Sequence, residues 1–115
     1  MKWKKLGKIF EPDGRIAWMR THAAVPIADQ LSDNLYKLYF TSRDDQSRSH
    51  LSAIVVDINN PFEHKELATE PLLRPGQLGT FDDSGVMATS LVQVGQKKYL
   101  YYIKYKSAGK SNKKN

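Results

Sequence analysis

The sequence predicts an all-β fold, and three observations carry that expectation. Leu35-Tyr36-Lys37-Leu38-Tyr39-Phe40-Thr41 and Ser52-Ala53-Ile54-Val55-Val56-Asp57-Ile58 are aromatic and β-branched runs bounded by turn residues. Ser90 to Val94 and Tyr99 to Ile103 form a second pair of such runs, separated by the hairpin-sized Gly95-Gln96-Lys97-Lys98. No segment sustains the 3.6-residue apolar period of a helix.

Taken in order, Leu6 to Phe10 is a weak strand candidate and Ile16 to Thr21 has room for one short helical turn. Ala24 to Asp29 is a second weak strand. Asp33-Asn34 is a turn signal before the strong strand at 35–41, and the polar stretch Arg43 to Ser49 links that strand to 52–58 as an antiparallel hairpin. Asn59-Asn60-Pro61 ends the hairpin, and Lys65 to Thr69 is a further weak strand. The two strong pairs suggest a repeat: Tyr36 and Tyr99 open similar aromatic strands, at a spacing near the roughly 40–60 residues of a four-stranded propeller blade. The second unit stops after two strands.

Composition narrows the function classes. A chain of 115 residues is one domain, and its mean hydropathy of −0.57 fits a soluble protein. No apolar run approaches the roughly 20 residues of a membrane span. Lys2, Lys4 and Lys5 resemble the start of a signal peptide, but Glu11, Asp13 and Arg15 replace the apolar core it needs. This points to the cytoplasm and to no membrane partner. With no cysteine, disulfides, zinc–thiolate sites and thiol nucleophiles are excluded. The net charge of +6 is local: seven lysines and no acid lie from 97 to 115, and before them 11 basic groups face 12 acids. Residues 106–115 read as a basic disordered tail, and nucleic acid is a minor reading driven by that tail alone.

The stretch Gly79-Thr80-Phe81-Asp82-Asp83-Ser84-Gly85-Val86, after Pro71 to Gly76, puts two adjacent carboxylates between a Gly/Pro-rich loop and a β-type run. On a strand, neighbouring side chains point to opposite faces, so one of the two acids can face a site directly. The same four residues, Asp82 to Gly85, also read as a plain β-turn. Arg43 and Asp44 end a strong strand. Arg43 can hold a sugar hydroxyl, carboxylate or phosphate through its planar fork, or the two can form a local ion pair at a solvated hairpin end. His22 is either a hydrogen-bonding or acid–base group, or a structural histidine. His50 and His64 lack a motif partner, and the three histidines lack metal-ligand spacing, so no metal or other cofactor is indicated. Trp3, Trp18 and Phe81 could stack on a sugar ring, but more often such residues are core.

Three stretches carry a resemblance: Thr21 to Pro26, Leu38 to Asp44 with Arg48-Ser49-His50, and Pro75 to Met87. They resemble the first two blades of five-bladed β-propeller glycosidase-like proteins, the superfamily of arabinanases, invertases, levansucrases and mannosyl phosphorylases. The nearest likeness is to predicted glycosyl hydrolases that accompany bacterial surface-polysaccharide genes. It covers residues 3 to about 103, and Phe81-Asp82-Asp83-Ser84-Gly85-Val86 is its most distinctive part. Departures are Ala88, where proline is common, and Lys104-Tyr105-Lys106 after the Tyr-Tyr-Ile stretch.

The resemblance implies a partial propeller over residues 1–105, with blade one and an incomplete blade two. It implies a parental activity of glycoside hydrolysis or glycosyl transfer on an oligo- or polysaccharide. Asp83 would be the catalytic acid of the second blade, with Asp82, His22, Arg43 and Asp44 around the substrate. Family members draw at least one required carboxylate from later blades, so this chain is expected to be inactive alone. The partners expected are carbohydrate and either the remaining propeller portion or a second copy, because open strand edges promote association. A non-catalytic carbohydrate-binding β module is the alternative.

Overall fold

The computed structural model describes residues 2–5, 7–77 and 84–105. The described chain is all-β. Its six strands are β1 Thr21–Gln30, β2 Leu35–Arg43, β3 Ser49–Asp57, β4 Asn60–Leu67, β5 Gly85–Val94 and β6 Lys97–Tyr105. They form an open sheet in the order β1-β2-β3-β5-β6, with β4 also paired to β3. Strands β1 to β4 are an antiparallel meander. Strands β5 and β6 are an antiparallel hairpin, joined to the meander's sheet by one parallel pairing, Ser49 with Gly85. The expected tail at 106–115 lies outside the described residues.

The strong strands form where β-branched and aromatic residues cluster, and most extend beyond the expected runs. The weak candidate at 24–29 is the centre of a ten-residue β1. Gly7 to Phe10 is not a strand. The short turn at 16–21 is not helical: Ile16 and Met19 form an isolated bridge, with the Met19 N–H donating to the Ile16 carbonyl at 3.0 Å. The β2–β3 hairpin ends just before Asn59, as expected, and Pro61 then sits inside β4. An edge strand can hold proline because one side of its backbone has no ladder to complete.

Alternation along β2 and β3 gives the meander two apolar faces. One gathers Phe40, Ile54 and Val56 with Met19, and the N-terminal segment covers it through Ile9, Phe10, Ile16 and Trp18. His64 Nε2 fixes that segment by donating to the Ile9 carbonyl at 3.0 Å, while its ring meets Phe10 edge-on. The other face presents Leu51, Ile27 and Tyr39 to Val86, Ala88 and Leu100 of the hairpin, so the hairpin lies over the meander as a second layer. β3 is therefore covered on both sides, and seven of its first eight residues, all but Val55, are buried.

The hairpin is held at both ends. At one end is the Ser49–Gly85 pairing. At the other, Lys98 Nζ donates to both oxygens of the buried Asp29 carboxylate, at 2.9 and 3.1 Å. Tyr39 lies close by, and burial together with the Asp29 charge pushes its hydroxyl above the ordinary phenol pKa.

Candidate functional site

Of the residues singled out from the sequence, His22, Arg43 and Asp44 lie at one end of the sheet. Thr21, Arg43, Ser49 and Gly85 are paired in register across β1, β2, β3 and β5. The last pairing depends on glycine. Gly85 has φ of +145°, and a Cβ there would lie 2.6 Å from both the backbone nitrogen and the Cβ of Ser49. Without a side chain, β5 comes close enough for the Ser49 N–H to donate to the Ser84 carbonyl at 3.0 Å. Asp82 and Asp83 lie outside the described residues. Ser84, next in sequence, is at this end of the sheet.

Arg43 is in the row and His22 is next to it, and both are exposed. His22 has φ of 68° where β1 bulges between Thr21 and Ala24, and its Nδ1 lies 2.8 Å from Thr21 Oγ1. Val25, three residues on, also has a positive φ, of 51°, which is rare for a β-branched residue. Two irregularities in one strand re-aim its side chains, a common device beside binding sites. The Arg43 carbonyl accepts from the Arg20 N–H at 2.8 Å, and no ion-pair partner engages the Arg43 guanidinium among the described residues.

Asp44 is differently placed. It is 7% exposed, and it holds the β2–β3 turn together. Its Oδ1 accepts from the backbone N–H groups of Gln46 and Arg48, each at 2.9 Å. Its Oδ2 accepts from Arg48 Nε at 3.0 Å. The ion pair at this hairpin end is thus Asp44 with Arg48, not with Arg43, and both carboxylate oxygens are engaged. His50 completes the cluster, 4% exposed and 6.3 Å from the Trp18 ring centre. Its Nδ1–H donates to the Arg48 carbonyl at 3.2 Å, which leaves Nε2 facing Asp44 Oδ2 at 3.9 Å. Burial pushes His50 below the ordinary imidazole pKa, against the upward pull of the Arg48 carbonyl and Asp44. Ser42, opposite His50, and Ser52 are fully buried, and their hydroxyls have no hydrogen-bond partner among the described residues.

Chemically, the described end offers exposed donors, His22 and Arg43, beside a rigid turn whose carboxylate is already occupied. Among the described residues no group of three His, Asp or Glu side chains could hold a metal ion. Trp18 is half-buried against the core, Trp3 is exposed, and Phe81 lies outside the described residues. Sequence reasoning missed Arg48, Ser49, His50 and Gly85 as organisers of this end. The signal was present in the register of a tight hairpin, which sets Ser42 opposite His50 and Arg43 opposite Ser49.

The chain is similar to two proteins of Mycobacterium tuberculosis, uncharacterized protein MT1551 of strain CDC 1551 / Oshkosh and uncharacterized protein Rv1502 of strain ATCC 25618 / H37Rv. Each is 41% identical over 102 residues, a match that covers 89% of this chain and 34% of the relative. The chain thus spans about a third of the length of the curated relatives it matches. No family model matches the sequence, and no solved structure matches it. Among the described residues no helix is long and apolar enough to cross a membrane.

Proposed function

We propose that the chain is a carbohydrate-handling β unit, equivalent to the first two blades of a five-bladed propeller glycosidase-like protein, and that it works as part of a larger assembly in the cytoplasm. The observation that carries this reading is the convergence of His22, Arg43 and the Ser84–Gly85 end of the acidic motif on one end of the sheet. The four-stranded antiparallel meander β1 to β4 is also the kind of unit a propeller repeats. The greater length of the mycobacterial relatives fits a unit that needs further chain. In this reading that further chain, or a second copy, covers the free side of β6. Glycoside cleavage needs two carboxylates. Asp83 is the one assigned to this chain, with Asp82 beside it, and the other comes from the remainder.

The second reading, a non-catalytic carbohydrate-binding module, is favoured by one specific feature. Asp44 spends both oxygens on its turn, so the described end supplies donors for a sugar and no free acid. Calorimetric titration with a panel of oligosaccharides tests both. Saturable binding is expected, weakened by Arg43→Ala and His22→Ala. Turnover is expected only after the chain is joined to the remaining two-thirds of a relative, and Asp83→Asn should then abolish turnover and leave binding. Binding without turnover in the joined protein selects the module. No saturable binding to any oligosaccharide rejects both.

A further inference from the structure

The β5–β6 hairpin has two apolar faces, and among the described residues one of them has no cover. Its inner face sends Val86, Ala88 and Leu100 into the layer against the meander. Its outer face carries Val92 and Val94 of β5 with Tyr99, Tyr101 and Ile103 of β6, each 41–61% exposed. The register sets Val92 opposite Tyr99 and Ser90 opposite Tyr101, so these side chains form one continuous patch. A hairpin with one face in water would alternate apolar with polar residues. A contiguous apolar patch of this kind marks a contact surface.

Charge, shape and area select the cover. Among the described residues the outer face has no acid, and its one cation is Lys97, opposite Val94 at the turn end. In a two-fold pair with antiparallel strands, the two Lys97 side chains lie at opposite ends of the contact. The strand from Lys97 to Ile103 spans about 20 Å. That is well beyond the roughly 8 Å over which exposed charges act at physiological salt. Tyr101 stands beside the small Ser90, so a projection and a notch are adjacent. The same two-fold seats the projection of each copy over the notch of the other. The five apolar side chains expose on the order of 500 Å² together. Two copies would then bury about 1,000 Å², the lower bound of a specific interface. Edge pairing is the competing way to join two copies, and β6 is marked against it. In full antiparallel register Tyr101 meets itself and Lys98 meets Lys104, and lysines along an edge deter strand addition.

We propose that two copies of this chain associate through the outer faces of their β5–β6 hairpins, packed face to face about a two-fold axis with the β6 edges apart. The contact is weak, in the micromolar range that so small an interface supports. This inference rests on the reading of the chain as one unit of a larger assembly and not on carbohydrate. A monomer that still binds oligosaccharide would defeat this inference alone.

Sedimentation velocity of the full chain, from about 1 to about 500 µM at physiological salt, tests the proposal. The weight-average mass is expected to rise from one chain to two and no further. Val92→Lys and Val94→Lys lie on β5, away from the β6 edge, and both positions are exposed. Each should move the midpoint about tenfold or more toward higher concentration. Leu31→Lys, at an exposed apolar position off the patch, should leave it unchanged. Urea midpoints equal to the parent's at the lowest concentration show that the variants fold. A chain that stays a monomer throughout overturns the proposal and leaves the face to further chain of the kind the longer relatives carry. A dimer that both β5 variants leave intact overturns it too, by assigning the contact elsewhere. So does growth past two copies, the mark of an open-ended contact.

Discussion

β3 and β6 look alike in sequence and differ in fate. Both are strands rich in large apolar residues. β3 lies between two covers, and Leu51, Ile54 and Val56 are buried. Among the described residues β6 pairs only with β5, and Tyr99, Tyr101 and Ile103 stand on its outer face with about half of their surface in water, Tyr101 at 55%. Apolar pattern therefore marks which surfaces are to be covered, and a neighbouring element decides whether they are. In the meander the cover is local: the N-terminal segment on one face and the hairpin on the other. For the outer face of β6, no element among the described residues supplies it.

The largest break in this comparison should come from Gly85→Ala. The new Cβ collides with Ser49 backbone and would also carry a strained φ, so a loss of about 3–5 kcal/mol is expected in urea unfolding. An unchanged midpoint would mean that β5 does not approach β3 so closely. Next, Leu51→Ala should cost about 3 kcal/mol, by leaving a cavity between the layers. Tyr101→Ala, of comparable bulk loss on β6, should stay within about 0.5 kcal/mol. Equal effects from the two would erase the distinction between covered and uncovered strands. Lys98→Ala should cost about 1–2 kcal/mol, because Asp29 is left buried without its cation while Lys98 itself is partly solvated. Amide exchange should then rise in β6 and not in β2.

The smallest effect is a pH dependence confined to the meander. Burial holds the folded His50 below its ordinary value of 6.5, against Asp44 and the Arg48 carbonyl, with the charges of Arg48 and Arg74 adding to the depression. Below 6.5 the unfolded chain takes up a proton before the folded one. The contribution of neutral His50 is therefore full above that pH and is lost as pH falls through the lower folded value. His50→Gln should flatten this part of the stability curve. A slope that survives the substitution would assign it to another group.

Much of the fold was legible because strand signals are local. The runs at 35–41, 52–58, 90–94 and 99–103 each fall at or within an observed strand, apart from Ile58 just past β3. What escaped was set by distant partners. β5 begins at Gly85, five residues before its apolar run, because Ser49 of another strand receives it there. β4 starts at Asn60 and takes in Pro61, ahead of the run expected at 65–69, because edge position is a property of the sheet and not of the segment. At the candidate site, the register drew His22, Arg43 and the residues after Asp83 to one end, as their order along the chain could not. The choice of Arg48 over Arg43 as the partner of Asp44 depends on a turn geometry that composition does not encode.

The Asp44 turn also bears on how the molecule assembles in time. Its four side-chain bonds lie within seven residues, and they join strands adjacent in sequence. Such a hairpin closes at small entropic cost and can form early, on the microsecond scale of isolated hairpins. The Ser49–Gly85 contact must instead close the whole intervening segment, β4 included. The β5–β6 hairpin should therefore dock late and, on unfolding, leave first. A destabilising change at Gly85 would then speed unfolding, whereas one at Asp44 would slow folding.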